Sequence, residues 1–186
     1  RGYDRKNIFK EESDYLRFLD KLEASTKKFD WLIYSYCLMP NHFHLHVQVR
    51  ADPLGIILHS LQTSHSVFFN RKHKHFGAVF TNRFKSILIQ KEAYHLGLSK
   101  YIHLNPVKAK LCQKPQDYIY SSYPEIINKP LHQFKIIDKR SLESLKAGSS
   151  PDNYRKFIED NPYTNYDPNL SVRGISGSDK FRHQFE

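Results

Sequence analysis

Cysteine is scarce: only Cys37 and Cys112 occur among 186 residues, far apart and without a CxxC pair. That excludes a disulfide scaffold of closely spaced thiols, a thioredoxin-type redox motif and a cysteine-rich zinc site, and it suits a reducing cytoplasm. Long apolar runs are lacking as well. Nothing approaches the ~18 residues that a membrane-spanning helix needs, and the opening RGYDRKNIFKEE has no apolar stretch of a signal peptide. Acid is the third scarcity, since from Pro53 through Gln116 the sole carboxylate is Glu92. The expectation is a soluble cytoplasmic protein of one ordinary domain, with room for a terminal appendage.

Positive charge fills the gap. The chain carries 29 Lys+Arg against 19 Asp+Glu, a formal charge of +10. Arg71, Lys72, Lys74, Arg83, Lys85, Lys91, Lys100, Lys108, Lys110 and Lys114 all lie in the acid-poor stretch. Phe68, Phe69, Phe76, Phe80, Phe84, Tyr94 and Tyr101 interleave with them. Such a mixture serves where phosphates are neutralised and unstacked bases rest on rings. The plainer reading is a solvated basic face over an aromatic core. RKHKH, residues 71–75, is open between a phosphate grip and a mobile solvated loop.

Periodicity orders the chain. SDYLRFLDKLEASTKKF starts with Ser13 as N-cap and repeats apolar residues at Tyr15, Phe18, Leu19, Leu22 and Phe29, the spacing of an amphipathic helix. WLIYSYCL, a turn at Pro40-Asn41 and HFHLHVQV then read as a β-hairpin. In its second strand Phe43, Leu45, Val47 and Val49 share one face and His42, His44, His46 and Gln48 the other, so the apolar set packs on helices and the histidines look outward. DPLGIILHSLQTSHSVFF predicts a second helix with Asp52 as N-cap and Pro53 at its first position. RFKSILIQ reads as a strand, and EAYHLGLSKYIHLNP as a helix that ends or kinks near Asn105 because Pro106 disfavours helical geometry before it. The order predicts an α+β fold, an antiparallel sheet with helices packed on one face, and a short strand before the first helix would make it ferredoxin-like. Residues 126–186, rich in Pro and Gly, read as an irregular C-terminal appendage with one helix at PDNYRKFIED.

Two histidines at i and i+2 of a strand project side by side, near enough for neutral imidazoles to share a divalent metal. In YIHLN, Tyr101 and Asn105 are four residues apart and share a helix face. Asn105 before Pro106 reads equally as the N-cap of a helix over VKAKL.

MPNHFHLHV, NRFKSILI, YIHLNPVKAKL and PQDYIYSSY, in this order and spacing, resemble the REP-associated tyrosine transposases, bacterial single-tyrosine enzymes of the HUH endonuclease superfamily. The likeness spans most of residues 1–125, with weaker echoes in PDNYRKFIED and RGISGSDKFRHQF. It implies a catalytic domain over 1–125, with a ferredoxin-like sheet, His42 and His44 as ligands of Mg²⁺ or Mn²⁺, Asn105 as a third ligand and Tyr101 as nucleophile. His46 departs from the usual aliphatic residue and is assigned a role outside the metal pair. The implied reaction is cleavage and strand transfer of single-stranded DNA at palindromic hairpins through a 5′-phosphotyrosine, in the bacterial nucleoid. Arg71, Lys72, Lys74, Arg83, Lys85, Lys100 and Lys108 are the candidate DNA contacts. A catalytically silent hairpin-binding protein is the alternative, and a zinc hydrolase using all three strand histidines is a further rival that the shortage of carboxylates disfavours. Monomer and homodimer are both open.

Overall fold

The computed structural model describes residues 1–81, 83–138, 140–141, 143, 150–160 and 175–176, with 91–93 and 175–176 as backbone only. The elements in order are α1 (Glu12–Lys28), β1 (Trp31–Met39), β2 (His42–Val49), α2 (Leu54–His73), β3 (Leu88–Ile89), α3 (Lys91–Lys108), α4 (Tyr123–Ile126), α5 (Pro151–Glu159) and β4 (Ile175–Ser176). The block RGISGSDKFRHQF lies outside the described residues apart from β4.

The antiparallel hairpin β1–β2 is the centre, and all nine residues of β1 are buried. A strand buried on both sides needs cover on both sides. Phe43 meets Phe18 of α1 at 5.1 Å between ring centroids, and this face joins the main core with Leu19, Leu22, Ile57 and Leu61. The opposite face bears Cys37 and Met39, paired with His44 and His42, and packs on Ile102 of α3. The α+β architecture expected from the sequence is present, and its helical cover extends to the histidine face, which looks into α3. Register shifts between Ile33 and Ser35, so Tyr34 is an extra residue opposite β2. Such a bulge re-aims side chains and strengthens local twist. Here Tyr34 turns its ring toward His95 and Ser35 its hydroxyl toward Ser99, both on α3.

Single bridges extend the hairpin. Tyr120 O accepts from Leu38 N–H at 2.9 Å, and Ser121 bridges Cys37 along the other edge of β1. The N-terminal segment donates Gly2 N–H to Asn41 O at 2.7 Å and pairs with Phe80. A Cβ on Gly2 would stand 2.1 Å from Lys6 O, so only glycine allows this approach. RFKSILIQ forms a ladder only at Leu88 and Ile89, which pair in parallel with β4. Its apolar residues explain this: Phe84 and Leu88 fall in one phase and Ile87 and Ile89 in the other, so no single face demands a longer strand.

Three helix ends differ from the sequence expectation. Glu11, not Ser13, caps α1, because Asp14 sits at N3 and its carboxylate accepts from the N–H groups of Lys10 (2.8 Å) and Glu11 (3.2 Å). Pro53, not Asp52, precedes α2, and Asp52 instead accepts from Asp30 N–H at 2.8 Å. Helix α3 continues through Pro106 to Lys108. A proline near the last turn forfeits one bond rather than a run of them. Ile126 at the end of α4 and, beyond it, Phe134, Ile136, Tyr154 and Ile158 enter the same core, so the described part of 126–186 packs on the body of the fold.

Asp14 is fully buried, and besides the two N–H groups it meets His73 Nε2 at 3.0 Å and Lys72 Nζ at 3.1 Å. Burial alone pushes its carboxyl up, but these partners outweigh it and the net shift is downward. The carboxylate is therefore stabilising above its unfolded pKa of about 3.9, and that contribution is lost as pH falls through its lower folded value. Asp14→Ala leaves the Lys10 and Glu11 N–H groups and His73 Nε2 without this acceptor and Lys72 with only Glu11 and Ser13, and we expect about 3 kcal/mol of lost stability in denaturant unfolding. A loss below about 0.5 kcal/mol, the scale of an exposed ion pair, would contradict this account.

Candidate functional site

His42 and His44 open β2 on the face that looks at α3. Their Nε2 atoms are 3.1 Å apart, so the two rings converge on one point. The Asn41 side chain explains why: His42 Nδ1–H donates to Asn41 Oδ1 at 2.6 Å, which leaves the lone pair on Nε2, facing His44. Burial lowers the pKa of His42 to about 4, with the positive charge of Arg1 adding to it. Burial, then His42, then Arg1 lower His44 to about 4. Both imidazoles are thus neutral at ordinary pH, the form that coordinates a metal. The residues fit a divalent cation.

Tyr101 comes from the facing helix. Its ring meets His44 edge-on, with centroids 5.8 Å apart, and Lys108 Nζ lies 5.3 Å from its centroid. One turn further on, Asn105 is half-buried and its Nδ2 donates to Tyr101 O at 2.8 Å. No helix starts after Pro106, because α3 itself runs on, so Asn105 caps nothing. Its amide instead supports the turn that carries Tyr101.

His46 does not join the pair. It is buried, its Nδ1 is 3.0 Å from Ser99 Oγ, and its ring packs against Tyr34 and His95. It serves as a polar bridge between β2 and α3, which removes the geometric basis of a three-histidine zinc site. The only cluster of three His, Cys, Asp or Glu ligand atoms among the described residues is Glu11, Asp14 and His73, far along the chain from Tyr101. Lys72 Nζ already lies 3.1 Å from both Glu11 and Asp14, and it also donates to Ser13. The ammonium supplies the cation there, and the cluster staples α1 to the end of α2.

The basic residues divide sharply. Arg71, Lys74, Arg83, Lys85 and Lys108 are exposed. Lys72 is spent on the α1 staple. Lys100 is buried, lies over the Phe157 ring at 4.6 Å and donates to Phe157 O at 2.5 Å, so it holds α5 and is no surface contact. Burial lowers its pKa. RKHKH is not a loose loop: its first three residues form the last turn of α2, and Lys74 closes it in the left-handed conformation.

A network behind α3 was not foreseen. His103 is fully buried and held neutral, with its pKa lowered to about 3 by burial. Its Nε2 is 2.9 Å from Ser122 Oγ and its Nδ1 is 3.1 Å from the Tyr154 hydroxyl. A neutral ring satisfies both when Nε2–H donates to Ser122 and Nδ1 accepts from Tyr154. Neither this network nor the orienting role of Asn41 has a periodic signature. The one available signal was the position of Asn41 immediately before the first histidine.

In the metal-free protein, histidine NMR titration should place the midpoints of His42 and His44 near 4. The unfolded chain takes up these protons first, at about pH 6.5, so the pair subtracts stability as pH falls from there toward its folded values. Midpoints near 6.5 would mean that the pair is solvated and not preorganised.

No helix of the described residues is long and apolar enough to cross a membrane. Comparison with curated proteins and with solved structures gives no significant match. The family model of IS200-like transposases matches residues 2–105, which include β1, β2, the histidine pair and α3 through Asn105. A converging histidine pair facing a helix-borne tyrosine on a basic surface is consistent with that match, and over more than half its length the chain belongs to the IS200-like transposase family, enzymes of DNA transposition.

Proposed function

We propose that the protein is a REP-associated tyrosine transposase that cuts single-stranded DNA beside palindromic hairpins and rejoins it through a 5′-phosphotyrosine. The observation that carries this reading is the Tyr101 ring set against His44, whose Nε2 converges with that of His42. The Tyr101 oxygen forms a bond to phosphorus while the bond to the 3′ oxygen breaks; the phenolic proton is lost and the departing 3′ oxygen gains one. The phosphotyrosine keeps the phosphodiester's energy for attack by another 3′-hydroxyl. His42 and His44, with Asn105 as candidate third ligand, would hold Mg²⁺ or Mn²⁺, which would supply Lewis-acid polarisation of a nonbridging phosphate oxygen. Asn41 orients His42, and Lys108 places a positive charge beside the ring whose oxygen gains charge. Access to Tyr101 between sheet and helix suits a single strand, and the exposed cations suit the phosphates of a hairpin stem.

Incubation with labelled single-stranded hairpin DNA and Mn²⁺ should give a denaturation-resistant adduct. Tyr101→Phe should abolish it with hairpin affinity nearly unchanged, since one oxygen is removed. His42→Ala and His44→Ala should each slow cleavage at least about a hundredfold, and Asn41→Ala should weaken metal binding about tenfold. A normal adduct in Tyr101→Phe would move the nucleophile elsewhere, and binding without any adduct in the wild type would mark a catalytically silent hairpin binder.

The charge census also sets a salt dependence. With Lys72 and Lys100 engaged internally, the five exposed candidates Arg71, Lys74, Arg83, Lys85 and Lys108 remain. If each meets one phosphate, log affinity for single strands should fall against log salt with a slope of roughly −3.5. Lys100→Ala should leave that slope untouched, and Arg83→Ala with Lys85→Ala should flatten it by about 1.4. A slope near zero in the wild type would remove the basic surface from DNA binding.

A further inference from the structure

On the N-terminal side of the histidine pair the surface opens into a cleft of ≈ 390 Å³, within the ~300–1,000 Å³ range of small-ligand sites. Phe69 and Val79, both buried, make its floor, and Ala78 is an exposed part of its wall. Tyr3, Lys6, Lys10 and His75 stand around it, with Lys10 Nζ 5.2 Å from the Phe69 ring. Lys6 Nζ lies 3.9 Å from the exposed Asp4 carboxylate, whereas Asp14 and Glu11 are occupied by Lys72 and His73. The cleft is thus apolar inside and cationic outside.

The wall made by residues 74–79 is rigidly built. Lys74 takes a left-handed conformation, and Gly77 has φ +94°, which a side chain would strain. Asn70 ties the turn at both ends: its Nδ2 donates to Gly77 O at 3.0 Å, and its Oδ1 accepts from His75 Nδ1 at 2.7 Å. Phe76 on this turn is 92% exposed, and Tyr3 in the cleft lining is 54% exposed. Tyr3 keeps about half its surface in water, and its N–H bond to Val79 O holds it beside the ordered turn with a face from which to stack. Apolar floor, lysine rim and the Tyr3 ring together match a nucleotide: a flat base with an anionic phosphate.

The cleft adjoins the candidate active site through the backbone. Gly2 bonds to Asn41 O, Asn41 orients His42, and Tyr3 leads directly from Gly2 into the cleft while its N–H bonds to Val79 O at 2.9 Å. These bonds put Tyr3, and with it the edge of the cleft, beside the residue that orients His42. We propose that the cleft receives one unpaired nucleotide of the bound DNA strand, its base on Phe69 and Val79 under Tyr3 and its phosphate at Lys6 and Lys10. The base is unpaired because a paired and stacked one cannot turn its face inward. This assignment rests on the DNA reading above and adds a site of selection beside the cut.

The test uses short single-stranded oligodeoxynucleotides carrying one photoreactive 5-iodouracil at each position in turn. Cross-links should map to Tyr3 or His75. Ala78→Trp, which fills the cleft from an exposed position, should remove them and weaken binding about tenfold. Lys6→Ala with Lys10→Ala, a surface change that spares the core, should weaken binding similarly. Cross-links confined to other regions, with Ala78→Trp binding as well as wild type, would overturn the cleft assignment and leave the DNA reading standing. Saturation of the cleft by a deoxynucleoside monophosphate, without oligonucleotide cross-links there, would assign it to a free nucleotide instead. Failure of every oligonucleotide to bind would overturn the DNA reading itself.

Discussion

The pairing of β1 with β2 sets the position of every group that matters for chemistry. Side chains alternate across a strand, so the ladder that sends Phe43 and Leu45 into the main core also sends His42 and His44 toward α3. A shift of one residue would bury the imidazoles among phenylalanines and expose the core. The hydrophobic effect thus holds the histidine pair in place without touching it. The Tyr34 bulge completes the arrangement by turning Tyr34 and Ser35 toward α3, where Ser99 and His95 receive them. Tyr101 stands at a fixed offset along that same helix.

Charge obeys the same economy of placement. A chain of formal charge +10 must dispose of like charges that repel. Two of its lysines do structural work, Lys72 on Asp14 and Lys100 on the Phe157 carbonyl, and are lost to any ligand. Of the candidate DNA contacts, the five that stay exposed lie at the end of α2 (Arg71 and Lys74), at Arg83 and Lys85, and beside Tyr101 (Lys108). Burial has the converse effect on the histidines: His42, His44 and His103 are all held neutral, so the interior of the site presents lone pairs and its surroundings present positive charge.

Period-two alternation and helical stripes were legible because burial of apolar surface dominates both, and they located α1, the hairpin, α2, α3 and α5. Proximity of Tyr101 to His44 followed from the family resemblance rather than from spacing, since nothing in a linear pattern measures the distance between a strand and a later helix. Helix ends were harder. Asp14 outcompeted Ser13 as the organiser of α1 because it also meets Lys72 and His73 from α2, partners 58 and 59 residues away. The same limit applies to Lys100, which has the composition of a DNA contact and the surroundings of a core residue. Long-range polar partners have no period, so they become visible only in three dimensions.

Helix α5 grips α3 from behind through Tyr154 on His103 and the Phe157 carbonyl on Lys100, contacts that span 51 and 57 residues. Loops of that length close late, because their entropy is lost before any contact offsets it. The helix bearing Tyr101 therefore lacks its final supports until the chain has been made well past the segment that the transposase family model covers. On the ribosome, the hairpin with its histidine pair emerges and can pair first, while the tyrosine helix is anchored last. Assembly order alone separates the making of the two halves of the site in time.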